Sequence, residues 1–434
     1  MLNVQKEIYE EILKMPVIDT HEHLPYSDDD REKNTDILKE YLSHYMSSDI
    51  KSAGMKALDF NRVIDTGKPL VERWKLVEPY WEVCRYTGYG RALDIAVQAI
   101  YGIGKVCGST IEALDEAFQK TLVPGHFQHV LKELSGIRIS LLDGFTGRFE
   151  CDRTLFRRVW RPEKYIMPEI YKGNVIEWIE QVYGISVRTL DDWIEAFDKE
   201  FRDALGSGVV ALKCGLAYQR SLQFNKVDYA VARNTFAGDL DKWNRNGYQT
   251  GDSLNFSKEV QDYMMHHILH ASNKEHMTFQ FHTGLQEGNG NDIRNSDPSL
   301  LTELFFLYPD VDFDLFHISY PFQGIAAVLC KNFPNVFIDM CWAHIISPYA
   351  SRQSLNDFLD TVPYNKISAF GGDYLFVDGV YGHLYLARQN ISSVLAQKVE
   401  EGVFSAEKAI DIAQALLYKN PIRIFKLAGE ISDL

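Results

Sequence analysis

The chain has 434 residues, of which 46% are hydrophobic and 24% charged, and its formal net charge is −15. This is the composition of a soluble globular protein, and its acidic balance argues against a nucleic-acid-binding protein, which needs a basic face. No stretch is apolar enough to cross a bilayer, and the N-terminal segment mixes acidic with apolar residues, so we expect a cytoplasmic protein without a signal peptide or a membrane partner. The cysteines are scattered, without a CxxC pair, and are expected to be reduced thiols.

Short apolar runs alternate with helical patterns along the chain, which predicts parallel βα units. Length alone would favour two or three domains, but a barrel with insertions is the usual exception. We therefore predict a (β/α)8 TIM barrel of the α/β class, in a single domain over residues 1–434. Its strands are expected at Val17 to Thr20, Ile137 to Leu142, Val209 to Lys213, Thr278 to His282, Val311 to His317, Val336 to Met340 and Ile367 to Phe370. The remaining strand is predicted at Tyr165 to Ile170, although Pro168 cannot donate a ladder hydrogen bond.

Two stretches do not fit a simple crossover between strands. Residues 26–130 hold helical segments such as KNTDILKEYLSHYM and TIEALDEAFQKTL and few strand signals, so they are predicted to form a mostly helical insertion after the first strand. Residues from about 215 to 255 are polar and aromatic, and they are predicted to form a second insertion of loop and helix. Insertions at the C-terminal ends of barrel strands commonly build the substrate pocket.

A His-Glu-His triplet follows the first apolar run. Successive strand side chains point to opposite faces, so His21 and His23 project to the same side and can bind one metal ion, while Glu22 points away. An isolated triplet of this kind is equally typical of a solvated turn. The assignment therefore depends on whether the rest of the chain supplies further ligands.

Three later strands end in residues that bind metals. Two runs end at His282 and His317, and the last run leads through a glycine pair to Asp373. Each of these residues alone could equally cap a helix or lie on a polar rim. In a closed parallel barrel, however, all C-terminal strand ends meet at one face, so the three side chains are expected to converge on the histidine pair. Imidazoles with a carboxylate suit zinc and similar divalent ions.

In this order the residues resemble the amidohydrolase superfamily, which has His-x-His on strand 1, histidines at strands 5 and 6, and aspartate at strand 8. The resemblance implies that His21, His23, His282 and Asp373 are metal ligands. It also implies that Asp373 is the general base, which takes a proton from the attacking water. For His317 it implies either a ligand of a second metal or a residue that polarises the substrate.

Lys213, at the end of the fourth run, has two interpretations. In binuclear relatives a carboxylated lysine at this place bridges two metals. Here the segment that follows includes Tyr218 and Arg220, so Lys213, Tyr218 and Arg220 would serve equally well as direct donors to an anionic substrate. We favour this second interpretation with one metal ion, and expect two metals if Lys213 is carboxylated. Trp342, after the seventh run, is predicted to face the same pocket.

The resemblance covers residues 16–23 and about 205 to 430. It implies a metal-dependent hydrolase in which activated water attacks an amide, lactone or ester carbonyl of a small, anionic molecule. Zinc is the expected metal, with manganese, nickel or iron as alternatives. The layout is also similar to uronate isomerase, whose helical insertion follows its His-x-His, but the Trp and Arg-rich segments of that family around strands 7 and 8 are not found. A metal-dependent decarboxylase and a non-catalytic ligand-binding barrel are further alternatives, and the sequence leaves open whether the chain forms a homo-oligomer.

Overall fold

Eight short parallel strands, paired in chain order, lie at the centre of the structure. The computed structural model describes residues 3–145, 148–171, 173–247 and 253–431. Almost every strand residue is buried on both faces, which explains why most strands stand out in the sequence as continuous apolar runs. The strands are β1 (Val17–Glu22), β2 (Ile137–Asp143), β3 (Phe156–Trp160), β4 (Ala211–Cys214), β5 (Thr278–Phe281), β6 (Asp312–Leu315), β7 (Val336–Asp339) and β8 (Ile367–Ser368).

Hydrogen bonds between β1 and the segment after β8 close the ring of strands. The Thr20 amide donates to the Phe370 carbonyl at 3.1 Å, and the Asp373 amide donates to the His21 carbonyl at 2.8 Å. The predicted TIM barrel is therefore confirmed. Because β1 and β8 are neighbours in the closed ring, His21 and Asp373 come together although they lie at opposite ends of the chain.

The prediction of a strand at Tyr165 to Ile170 was wrong. Tyr165 to Ile170 lies in short 3-10 turns, and the missing strand is β3, which precedes it. Two adjacent arginines, Arg157 and Arg158, interrupt the apolar pattern of β3 and so hide it. Their buried guanidinium groups donate hydrogen bonds, from Arg158 to the backbone of β2 at 2.5 Å and from Arg157 to the Glu430 carboxylate at 2.6 Å.

Helices surround the barrel and fill most of the connection between β1 and β2. That connection holds α2 (Ile37–Leu42), α3 (Tyr45–Ser52), α4 (Ala57–Val63), α5 (Leu70–Cys84), α6 (Gly88–Tyr101) and α7 (Ile111–Gln119). The other helices are α1 (Asn3–Ile12), α8 (Val175–Tyr183), α9 (Leu190–Gly206), α10 (Tyr229–Lys242), α11 (Lys258–Lys274), α12 (Thr302–Leu307), α13 (Gln323–Asn332), α14 (Ala343–Ile346), α15 (Pro348–Thr361), α16 (Val377–Glu400), α17 (Ala406–Gln414), α18 (Asn420–Ile424) and α19 (Ala428–Ile431). The predicted second insertion contains α10, and its residues 248–252 fall outside the described residues. None of the helices in the described ranges has the length and apolarity needed to cross a lipid bilayer.

A buried carboxylate fastens the helical insertion to the barrel. Asp378, at the start of α16, accepts hydrogen bonds from the hydroxyls of Tyr41 at 2.8 Å and Tyr101 at 2.6 Å. It also lies 2.7 Å from Nε2 of His126. Burial alone would raise the pKa of Asp378, but these partners lower it, so the carboxylate is ionised and accepts from all of them.

We expect Asp378→Ala to lower the free energy of unfolding by about 3 kcal/mol, because it leaves the buried donors of Tyr41, Tyr101 and His126 without an acceptor. Urea unfolding followed by circular dichroism measures this loss. Asp411→Ala is the control, because it removes an exposed carboxylate 3.8 Å from Lys408 and should cost no more than about 1 kcal/mol. Equal losses in the two variants would contradict the anchoring role of Asp378.

Candidate metal centre

The strand ends predicted to carry metal ligands meet at one face of the barrel. His21 lies in β1 and His23 directly after it, His282 and His317 follow β5 and β6, and Asp373 follows β8. His317 and Asp373 have left-handed backbone conformations, with φ of 63° and 59°. Such conformations are costly for residues with a Cβ and concentrate at functional sites, where the surrounding structure holds them.

Donor atoms from β1 and from the segment after β8 form the first part of the centre. His21 Nε2 lies 3.3 Å from His23 Nε2. The Oδ1 atom of Asp373 lies 3.7 Å from His21 Nε2 and 3.2 Å from His23 Nε2. These residues place their donor atoms within 4.8 Å of one another, which is close enough for all of them to bind one ion.

Hydrogen bonds on the other ring nitrogens set the tautomers of this histidine pair. His23 Nδ1 donates to the Asp143 carbonyl at 2.8 Å, and His21 Nδ1 donates to Gln280 Oε1 at 3.3 Å. The Gln280 amide is oriented by its own donation to the Thr20 carbonyl at 2.9 Å. Both Nε2 atoms therefore carry lone pairs, and the lone pairs face each other.

The same arrangement recurs at the ends of β5 and β6. His282 Nε2 donates to the Leu285 carbonyl at 2.9 Å, and His317 Nδ1 donates to the Cys341 carbonyl at 3.0 Å. The remaining nitrogens, His282 Nδ1 and His317 Nε2, face each other at 3.1 Å. His317 Nε2 also lies 3.9 Å from Oδ2 of Asp373. Asp373 therefore presents one carboxylate oxygen to each part of the centre.

Burial favours the neutral form of His21, His282 and His317. It lowers the pKa of His21 and His282 well below the usual value, with a smaller contribution from Lys213, and it lowers the pKa of His317 to about 4. Neutral rings with facing lone pairs repel one another unless a cation lies between them. Two nitrogens bound at ~2.1 Å to one tetrahedral ion lie about 3.4 Å apart, close to the separations seen here. The donor set therefore fits a divalent metal ion.

The structure distributes the predicted metal ligands over two neighbouring groups. His21, His23 and Asp373 form the first group. His282 instead faces His317 at 3.1 Å, and His317 Nε2 lies 3.9 Å from Oδ2 of Asp373. The predicted ligands are thus close together, but they do not all surround the same point.

A cavity of about 280 Å³ opens beside these residues. Lys213 lies in its wall, with Nζ 3.2 Å from the centroid of the Phe316 ring, and forms no ion pair with a carboxylate in the described part of the chain. Burial, together with the charge of Arg161, lowers the pKa of Lys213 to about 8. The cavity is lined by His21, His23, His44, Tyr45, Phe145, Arg161, Glu163, Lys213, Gly215, Tyr218, Gln219, His282, Glu287, Asp373 and Leu375.

The other predicted substrate contacts differ in their placement. Tyr218 lines the cavity, and its hydroxyl accepts a hydrogen bond from a backbone amide at 2.9 Å. Arg220 is directed elsewhere, because its guanidinium donates to Asp262 at 2.6 Å. Trp342 is 1% exposed and packs behind His317, with ring centroids 5.0 Å apart. Tyr218 is therefore placed to contact a substrate, whereas Arg220 and Trp342 are not among the residues that line this cavity.

Several residues in or beside the cavity were missed in the sequence. Asp143 ends β2, so the strand-end signal that identified Asp373 could have found it. Arg161 follows β3, which was not recognised, and its guanidinium donates to Asp143 at 2.5 Å. His44 is delivered by the helical insertion and stacks on Tyr45 with ring centroids 3.8 Å apart. No local pattern in the sequence distinguishes His44 from an ordinary helix-flanking histidine.

The family model for amidohydrolases matches residues 181–427. This is more than half of the chain, and the protein therefore belongs to the amidohydrolase family. The matched region includes β4 to β8 and with them His282, His317 and Asp373, whereas the histidine pair of β1 lies before it.

Named relatives cover the chain to very different extents. Protein fluG of Emericella nidulans is 27% identical over 176 residues, which make up 39% of this chain but only 20% of that relative. This chain thus matches about a fifth of the length of Protein fluG. The uronate isomerase of Thermotoga maritima is 20% identical over 442 residues and is covered, like this chain, over 96% of its length.

Solved structures of similar fold include two isomerases. The uronate isomerase of Thermotoga maritima superposes with a TM-score of 0.78 at 17% identity, covering 97% of both chains. The glucuronate isomerase of Caulobacter crescentus gives a TM-score of 0.73 at 17% identity, covering 98% of this chain and 94% of the other. At such identities the likeness shows a shared fold.

We expect His21→Ala to reduce the metal content at least about tenfold, because it removes one of the donors of the first group. Elemental analysis of the dialysed protein by mass spectrometry measures the bound metal. His266→Ala is the matched control, because His266 lies in α11 with its ring 2.8 Å from the Tyr308 hydroxyl, and it should keep the wild-type content. Wild-type metal content in His21→Ala would contradict the assignment.

Proposed function

We propose that this amidohydrolase family member is a metal-dependent hydrolase that cleaves an amide, lactone or ester bond in a small anionic molecule. The observation that carries the proposal is the convergence of the His21 and His23 lone pairs on the Asp373 carboxylate at the wall of a cavity. Metal-dependent hydrolysis of such bonds uses a cation beside a general base. These residues can provide both.

Each side chain of the centre has a separate task. When bound, a divalent ion supplies a Lewis acid that polarises the carbonyl and activates water, and zinc suits the donors best, with manganese, nickel or iron as alternatives. His21 and His23 would hold that ion together with the Asp373 carboxylate. His282 is the further ligand that the family resemblance implies, although its free nitrogen faces His317 at 3.1 Å.

Asp373 is the general base of the proposed reaction. Burial alone would raise the pKa of Asp373, but the nearby rings of His23, His21 and His317 lower it well below the usual range, so its carboxylate can accept a proton. It can take the proton of the attacking water on Oδ2. His317 Nε2 lies 3.9 Å from that oxygen and carries a lone pair, so His317 can relay the proton but cannot donate to a substrate carbonyl as a neutral ring.

One cation in the cavity wall, Lys213, supports an anionic substrate. Arg161 is neutralised by its bond to Asp143, whereas the Lys213 ammonium has no carboxylate partner in the described part of the chain. Lys213 is therefore free to pair with a carboxylate or phosphate of the substrate, and Tyr218 can add a hydrogen bond. The net negative charge of the whole protein does not prevent binding of an anion, since the charge of Lys213 acts locally in the cavity.

A sugar-acid isomerase is the second candidate, and the likeness to the uronate isomerases over nearly the full chain favours it. The same donors could hold a hydroxy-carbonyl acid while Asp373 and His317 move a proton between neighbouring carbons. A metal-dependent decarboxylase and a barrel that binds a ligand without turnover use the same cavity but have no separate observation in their favour.

A substrate panel separates these functions. We expect the purified, metal-loaded protein to release acid from members of a panel of anionic amides, lactones and esters, and to form no ketose from uronates. Turnover of uronates to ketoses, without hydrolysis of any panel member, would replace the hydrolase by the isomerase. Release of carbon dioxide, measured in the same reactions, would indicate the decarboxylase.

We expect Asp373→Asn to lower kcat on the best panel substrate at least about a hundredfold, because the amide cannot accept the proton. Its metal content should stay near that of the wild type, since the amide oxygen remains a donor. Steady-state kinetics and elemental analysis on the same preparation measure both. Full activity in Asp373→Asn would overturn its role as general base.

We expect Lys213→Met to raise KM for an anionic substrate about tenfold with a smaller change in kcat, because a buried charged hydrogen bond is lost. A neutral analogue of the same substrate should show no such increase. If Lys213 were instead carboxylated and a metal bridge, the variant would lose metal, and elemental analysis would reveal this outcome.

A further inference from the structure

The thiol of Cys341 belongs to the metal centre by position, although no sequence pattern marks it. Cys341 lies shortly after β7, and its sulfur, a ring nitrogen of His317 and a carboxylate oxygen of Asp373 all lie within 4.8 Å of one another. Cys341 is fully buried, and its thiol makes no hydrogen bond within the described ranges. The sulfur is thus a free donor beside two other free donors.

The backbone holds this thiol in place. The Cys341 amide donates to the Asp339 carboxylate at 2.7 Å, and the next amide, of Trp342, donates to the Gly371 carbonyl at 2.9 Å. A Cβ at position 371 would lie 2.9 Å from the Cys341 sulfur and 2.8 Å from its Cβ. Glycine at this position therefore leaves the room that the thiol occupies.

The two partners of the thiol have donor atoms to spare. His317 commits Nδ1 to the Cys341 carbonyl, so Nε2 has its lone pair free. Asp373 turns Oδ1 toward the β1 histidines and Oδ2 toward His317. A carboxylate in this position can bind two cations at once, one through each oxygen.

We infer that Cys341 is a thiolate ligand of a second divalent cation, which it holds together with His317 Nε2 and Asp373 Oδ2. The inference rests on the proposed function in one respect, since Asp373 has to bind the first cation through Oδ1. A second cation on Asp373 Oδ2 and His317 Nε2 occupies the atoms that take and relay the proton, so it would suppress the hydrolysis proposed for the protein with the first cation alone. On binding, the thiol loses its proton to solvent and the sulfur donates an electron pair to the ion. This second position needs no carboxylation of Lys213, and its thiolate selects thiophilic ions such as zinc, cobalt or cadmium over magnesium or manganese.

The test is a titration of the metal-depleted protein with Co²⁺, followed by near-ultraviolet absorption, where charge transfer from thiolate to Co²⁺ is seen. The wild type should bind about two Co²⁺ per chain, and the charge-transfer band should grow with the second equivalent. Cys341→Ser should bind about one Co²⁺ and show no band, because a hydroxyl is a poor donor to this ion. Cys330→Ser, which replaces a buried cysteine whose thiol donates to the Val336 carbonyl at 3.1 Å, should behave as the wild type.

A wild-type titration without a charge-transfer band would overturn the inference, and so would a second equivalent retained in Cys341→Ser. Thermal unfolding shows whether Cys341→Ser is folded. If it is not folded, the presence or absence of the charge-transfer band in the wild type and in Cys330→Ser decides whether the inference holds. If either of these overturning results is found but one Co²⁺ per chain still binds, the second site is excluded and the proposed function still holds. Failure to bind any Co²⁺ would overturn the inference and the proposed function together.

Discussion

The facing lone pairs of paired imidazoles are the constraint on which the whole site depends. In each pair, the outer ring nitrogen donates to an acceptor that the barrel holds in place: the Asp143 carbonyl, the Gln280 amide, or the carbonyls after β5 and β7. The inner nitrogens therefore cannot be donors, yet they lie 3.3 and 3.1 Å apart. Burial lowers the pKa of His21, His282 and His317, and a bound cation would relieve the repulsion between the facing lone pairs. The arrangement therefore fits a metal site.

Barrel and insertion divide the work of building this site. The barrel provides the donors, because closure between β1 and β8 sets Asp373 beside His21. The helical insertion provides part of the cavity wall through His44 and Tyr45, and it also supports the centre directly, since the Tyr45 hydroxyl donates to the Asp373 carbonyl at 2.5 Å. Asp378 anchors the insertion to the barrel through Tyr41 and His126. Substrate specificity can therefore change with the insertion while the metal donors stay fixed.

Periodicity and strand-end chemistry predicted much of the fold and the centre of the site. Strands buried on both faces appear as apolar runs, and all of them deliver their last residues to one face, which is why His21, His23, His282, His317 and Asp373 could be found in the sequence. The third strand could not, because Arg157 and Arg158 break its pattern, and Arg161 and Glu163 beyond it were lost with it. Arg220 shows the opposite failure: it follows the right strand, but its pairing with Asp262 depends on the packing of α11, which no local pattern reports. The contacts between the insertion and the barrel also join residues far apart in the sequence, so no local pattern could predict that His44 lies in the cavity wall.

Anomalous X-ray diffraction from crystals of the purified protein, at the absorption edge of the metal identified by fluorescence, tests the central claim most directly. An anomalous peak at ~2 Å from the Nε2 atoms of His21 and His23, and within bonding distance of Asp373, is the predicted result. An empty position there, with the imidazole rings still facing each other as neutral groups, would contradict the assignment of this centre as a metal site.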